Sequence, residues 1–116
     1  MNFKKYKVVV SDNVIVPVEG KYAEADGSIR SFKFSLVCKR LDAPTLKQEM
    51  EDKEESATEM MKKVISGWRD QRLVLEEDDT PAEFCDGALS ALFDIAGMGM
   101  HCLNAYLAVV GVKAKN

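Results

Sequence analysis

The sequence predicts an α+β fold: an N-terminal antiparallel β-hairpin, with a third strand available, followed by a mostly helical C-terminal two-thirds. Three observations predict it. In the first third, apolar residues recur at every second position. From residue 46 onward they recur at three- and four-residue spacing. Turn and cap residues fall between these stretches, as they do between strands and helices. A chain of 116 residues is long enough for one domain with a modest core. Its expected parts are a β-rich segment over residues 1–41, an acidic helix over 42–67, a connector over 68–80 and C-terminal helices over 81–116.

The strands come first. Val14, Val16 and Val18 alternate with Ile15, Pro17 and Glu19. Phe32, Phe34, Leu36 and Cys38 alternate with Ser31, Lys33, Ser35 and Val37. Period two puts each apolar set on one strand face. Between them, Asp26-Gly27 supplies the left-handed backbone that a tight hairpin turn requires. Pro17 cannot donate to a ladder, so its strand belongs at a sheet edge or at a bulge. Residues 6–10 are a candidate further strand. Two strands are marginal alone, so the helices that follow should cover their apolar face.

The helices follow. Asp42 is placed to cap a helix whose first turn holds Pro44. Leu46, Met50, Ala57, Met60, Met61, Val64 and Ile65 mark its apolar stripe, interrupted at Glu51-Asp52-Lys53-Glu54-Glu55. One long helix with a solvated middle is expected over 42–67, ending at Gly67 as a C-terminal glycine stop. The alternative is a break near Ser56, because Ser56-Ala57-Thr58-Glu59 has the form of a capping box. In the connector, Leu73-Val74-Leu75 is a short extended piece and Glu76-Glu77-Asp78-Asp79 a solvated like-charge run. Thr80-Pro81 resembles an N-cap followed by its first helical residue. Asp86 is a second candidate cap, for a helix carrying Leu89, Leu92, Phe93 and Ala96. A final helix carries Cys102, Leu103, Tyr106, Leu107 and Val110 and stops at Gly111, with Lys113 and Lys115 suited to its C-terminal end.

Composition excludes several classes. With 47% hydrophobic and 30% charged residues, the chain reads as globular, and no apolar run reaches the roughly 18 residues that span a bilayer. The apolar part of residues 1–10 is too short for a signal peptide, so a cytosolic protein is expected. Residues 1–41 carry eight Lys/Arg against four Asp/Glu, and residues 42–116 carry eight against fifteen. The halves are therefore +4 and −7, which favours self-association or a basic partner over nucleic acid.

No constellation points to catalysis. Cys38, Cys85 and Cys102 are widely spaced and match neither a disulfide framework nor a zinc pattern. His101 and Cys102 are adjacent and would point about 100° apart on a helix. The acidic run lacks the alternating ligands and glycine of a calcium loop. Gly97-Met98-Gly99 has no preceding strand and no following Lys-Ser/Thr, so it is not a phosphate loop. Neither a cofactor nor a metal is expected. What remains is binding chemistry. The five methionines Met50, Met60, Met61, Met98 and Met100 either fill core gaps or line an adaptable groove for an apolar partner. Trp68, the only tryptophan, is either a plug at the helix–connector junction or an interface anchor.

The order of segments is itself informative. A Gly27-containing hairpin leads through Cys38-Lys39-Arg40-Leu41-Asp42 into an acidic helix. Gly67-Trp68 follows, then the acidic connector, then Pro81-Ala82-Glu83-Phe84 and a tail with Ala105-Tyr106-Leu107. This ordered pattern, over roughly residues 30–110, resembles the small tail assembly chaperones of long-tailed bacteriophages and prophages. One departure is Asp78-Asp79-Thr80, where that family often has Asp-Gly after the acidic residues.

The resemblance implies a non-enzymatic assembly factor of the host cytoplasm, absent from the finished virion. Its partner would be the tape measure protein, around which the tail tube polymerises. The tail tube protein would be reached through a longer, frameshifted form. Trp68, Phe84, Met98, Met100 and Tyr106 are the candidate partner-binding residues. The alternative is a small structural or adaptor protein of the virion.

Overall fold

The computed structural model describes residues 6–112. The elements run β1 (Asn13–Ala23), β2 (Ile29–Lys39), α1 (Ala43–Glu51), α2 (Ala57–Val64), β3 (Ile65–Arg69), α3 (Asp86–Phe93) and α4 (Met98–Val110). The fold is α+β: a three-stranded antiparallel sheet in the order β1-β2-β3, with helices on one face.

The hairpin follows the period-two pattern. Val16, Val18, Phe34, Leu36 and Cys38 face the core. Val16 pairs with Leu36 and Val18 with Phe34, so the two apolar sets lie directly opposite. Pro17 sits on β1, an edge strand, where its missing N–H breaks no ladder bond. The turn uses Gly27 at φ 87°, the single left-handed residue it needs. The third strand is not residues 6–10, which form no strand. It is β3.

That strand corrects the reading of the middle. The expected long helix is two, with the break where the sequence offers only charge. Residues 51–55 contain no apolar residue to bury, so helix there would lack hydrophobic tertiary support. α1 closes at Asp52, and Ser56 opens α2 with a complete capping box: its Oγ accepts from Glu59 N at 3.0 Å, and Glu59 Oε1 accepts from Ser56 N at 3.0 Å. Gly67 is not a helix stop. α2 ends at Val64 and the chain turns straight into β3, where Gly67 pairs with Val37 and Trp68 with Leu36. The reason is tertiary: β2 would otherwise expose a row of unpaired backbone groups.

Two further caps differ from expectation. Pro81 starts no helix; it forms an isolated bridge with Leu75. α3 is capped by Cys85, whose Sγ accepts from Ala88 N at 3.4 Å, and Asp86 is its first residue. Ala96 lies beyond its end. Asp42 does cap α1, accepting from Thr45 N at 2.9 Å. α4 stops at Gly111; Lys113 and Lys115 lie outside the described residues.

One core joins the layers. α4 lies along β1, and α2 lies against α4. Gly99 is the point of closest approach: a Cβ there would run into the Thr58 hydroxyl and lie 3.2 Å from the Thr58 N. Tyr106, wholly buried, ties α4 to the end of the sheet. Its hydroxyl donates to Lys39 O at 2.8 Å and accepts from Leu41 N at 3.2 Å. Among the described residues no single helix is long and apolar enough to cross a membrane; only α3 and α4 taken together, bent by 104°, reach that composition.

Candidate functional site

The Trp68 junction is built as a knot. β3 delivers Trp68, and Asp70, in the left-handed region at φ 63°, follows directly after the strand. The indole stacks edge-on against Phe84, with centroids 5.3 Å apart, and its Nε1–H donates to Ala82 O at 3.2 Å. Gln71, 2% exposed, holds the rest. Its Nε2 donates to Val74 O at 2.9 Å and Ala82 O at 3.0 Å. Its Oε1 accepts from Leu73 N at 3.1 Å and Val74 N at 2.8 Å. All four hydrogen-bonding positions of a buried amide are filled, which is what its burial requires. Sequence reasoning missed Gln71, because nothing distinguishes it from a surface glutamine until the chain folds around it.

The connector is therefore ordered. Val74-Leu75 and Pro81-Ala82 form a narrow ribbon, with Ala82 N donating to Val74 O at 3.0 Å. Its acidic tip is a tight turn. Glu76 N donates to Thr80 O at 2.7 Å, and Asp79 N to Glu76 O at 2.9 Å. Asp78 Oδ1 accepts from both the Thr80 N and hydroxyl, which holds its carboxyl below the usual range. The β1–β2 turn has the same bonds: Glu24 to Ser28, Gly27 to Glu24, and Ser28 to the Asp26 carboxylate. Asp79, at φ 67°, occupies the place that Gly27 has in the hairpin.

Beside this ribbon lies a groove of about 690 Å³. Its existence follows from lengths. Eleven-residue strands extend about 36 Å, whereas the thirteen residues of α4 reach about 20 Å. α4 begins beside residue 19, where His101 Nε2–H donates to Glu19 O at 2.7 Å. The inner face of the hairpin beyond that point, with Tyr22 and Phe32, is left without a helix. Leu73 and Leu75 from the ribbon and Ile95 from the α3–α4 turn form the other walls, with Met98 at the base and Lys21 and Arg72 at the rim. Tyr22, Leu75 and Ile95 are 40%, 43% and 37% exposed. Leu73 and Leu75 were visible as an extended piece; that Ile95 would meet them was not.

A smaller cleft, about 150 Å³, lies between the α1–α2 turn and α4. Met50, Met60, Met100 and Leu103 form its apolar wall and Glu49, Asp52 and Glu55 its acidic end.

The five candidate contact residues do not form one surface. Met98 and Tyr106 are core residues, although Met98 also lies at the base of the groove; Met100 is exposed at 54%. Met98 and Met100 are two positions apart, roughly 200° around a helix, so only one could face outward. Trp68 and Phe84 are half-buried against each other.

The thiols are also placed. Burial pushes Cys38 and Cys102 up to about 12, with their mutual proximity adding to Cys38; both hold their protons at neutral pH. Cys85 is exposed. Among the described residues no group of three or more His, Cys, Asp or Glu could hold a metal ion. Comparison with known protein families, with characterised proteins and with solved structures finds no match.

Proposed function

We propose that this chain is a tail assembly chaperone of a long-tailed phage or prophage. It holds apolar segments of the tape measure protein in the host cytoplasm while the tail tube polymerises, and it leaves before the virion is complete. The observation that carries this reading is the apolar groove between the hairpin tip, the ribbon and the α3–α4 turn. The order of segments, from acidic helical region through Gly67-Trp68 to Pro81-Ala82-Glu83-Phe84, supports it as well.

Magnitudes fit a carrier that must let go. Fully burying a large apolar side chain is worth about 1.5–3 kcal/mol. Tyr22, Leu75 and Ile95 are each some two-fifths exposed, so each has roughly 1 kcal/mol left to gain. That supports weak binding at one groove, with strength coming from several chaperones on one client. Recruitment of the tail tube protein through a longer form, and self-association, belong to the same proposal.

The test is co-expression with a fragment of the tape measure protein encoded beside it. The fragment should stay in solution and co-purify; a fragment that remains insoluble and unbound would sink the reading. Mass spectrometry of purified virions separates the structural or adaptor alternative. Many copies in the particle would favour that alternative, and absence favours the chaperone.

A further inference from the structure

The cleft at the α1–α2 turn carries an uncompensated charge. Glu49 and Glu55 share one cation, the ammonium of Lys63, which contacts Glu55 Oε1 and lies 3.0 Å from Glu49 Oε1. The two carboxylates are mostly enclosed, their side chains 18% and 7% exposed. The second oxygen of Glu55, Oε2, is buried and has no hydrogen-bond partner. A carboxylate oxygen removed from water without a partner costs several kcal/mol, so this position is incomplete as it stands. Asp52 adds negative charge on the same side.

The rest of the cleft is apolar and open. Met50 and Met100, 47% and 54% exposed, flank it, and Met60 and Leu103 floor it. Thioether side chains accommodate the alkyl stem of a long side chain without a fixed shape. The volume, about 150 Å³, suits one such side chain rather than a whole helix face.

We infer that this cleft is a docking site for a lysine or arginine carried on an apolar segment of a partner protein. The stem lies between Met50 and Met100, and the charged head completes Glu55 Oε2. This assignment rests on the cleft alone, because a partner other than a tape measure protein would meet the same chemistry. It adds a requirement the groove does not impose: the captured segment carries a basic residue among its apolar ones.

The experiment uses the full chain labelled with ¹³C at its methionine methyls. The probes are a leucine-rich helical peptide with one central arginine and the same peptide with norleucine in its place. The arginine peptide should shift the Met50 and Met100 signals and bind about tenfold or more tighter, as expected for a charge-assisted hydrogen bond in a shielded place. Glu55→Gln should abolish the preference. Should Glu55→Gln fail to fold, Met100→Lys decides. That position is exposed, and its new ammonium should occupy the cleft and remove the preference without changing Tm. Equal binding of the two peptides, or Met50 and Met100 signals that stay in place, would overturn the proposal. So would saturation of the same signals by calcium ions alone, or by raising the protein concentration alone, which would assign the cleft to a metal or to a second copy.

Discussion

Cys38 on β2 and Cys102 on α4 are wholly buried in the core and near one another, while Cys85 caps α3 at the surface. The chemistry of each thiol follows from its surroundings. A thiol reagent at about pH 8 should modify Cys85 in the native protein and reach the other two only after unfolding. The sign of the pH dependence follows too. Burial holds both core thiols protonated up to about 12, whereas in the unfolded chain they ionise near the usual thiol value of about 8.5. Their contribution is therefore fully present below that value and is lost as pH rises toward 12. The urea midpoint should fall over this window, and less steeply in a Cys38→Ala, Cys102→Ala variant. A flat midpoint would mean that the thiols are not enclosed.

At the scale of elements, two turns of different sequence share one geometry. Glu24-Ala25-Asp26-Gly27-Ser28 and Glu76-Glu77-Asp78-Asp79-Thr80 repeat the same backbone and Asx-type bonds. The left-handed position is held by Gly27 in one and by Asp79 in the other. A residue with a Cβ is strained there, though Asp tolerates it better than most. Asp79→Gly should therefore stabilise the protein by about 0.5–1 kcal/mol, and Gly27→Ala should destabilise it by about 1 kcal/mol. Both are read from chemical denaturation. The repeat also explains how the connector closes without the Asp-Gly expected of it. Each turn is held by a carboxylate with a depressed pKa, Asp26 through Ser28 and Asp78 through Thr80, so both weaken as pH falls through those values.

At the scale of the whole molecule, the groove is a by-product of mismatch. The hairpin outruns α4, and the ribbon and the α3–α4 turn only partly cover the excess. A client held there should be sensitive to charge on the walls. Leu75→Asp with Ile95→Asp should cut recovery of a co-expressed tape measure fragment severalfold while leaving Tm within a few degrees, since both side chains are already about two-fifths exposed. Trp68→Ala should behave in the opposite manner. It empties the stack on Phe84 and removes a donor to Ala82, so its cost should appear first as lost stability. Recovery unchanged by the double substitution would move client binding away from the groove.

How much was legible depends on how local each feature is. Period two marked β1 and β2, and their register followed from the Gly27 turn, because a hairpin needs only its own residues. The cap at Asp42 and the stripe of α4 were legible for the same reason. The apolar gap over residues 51–55 and the Ser56 box allowed a break, but the choice between one helix and two turned on tertiary burial. β3 was hidden because Ile65-Ser66-Gly67-Trp68-Arg69 becomes a strand only in answer to the open edge of β2. Gln71 was hidden because its four partners converge from the ribbon. Of Met98 and Met100, the helix dictated that one face inward, and packing against α2 and the sheet decided which. The sequence by itself determined the class of fold, the hairpin and the helical tail, since these rest on short-range periodicity and caps. Only the tertiary structure decided the third strand, the groove and the incomplete Glu55 cleft, since each is made where segments distant in sequence meet.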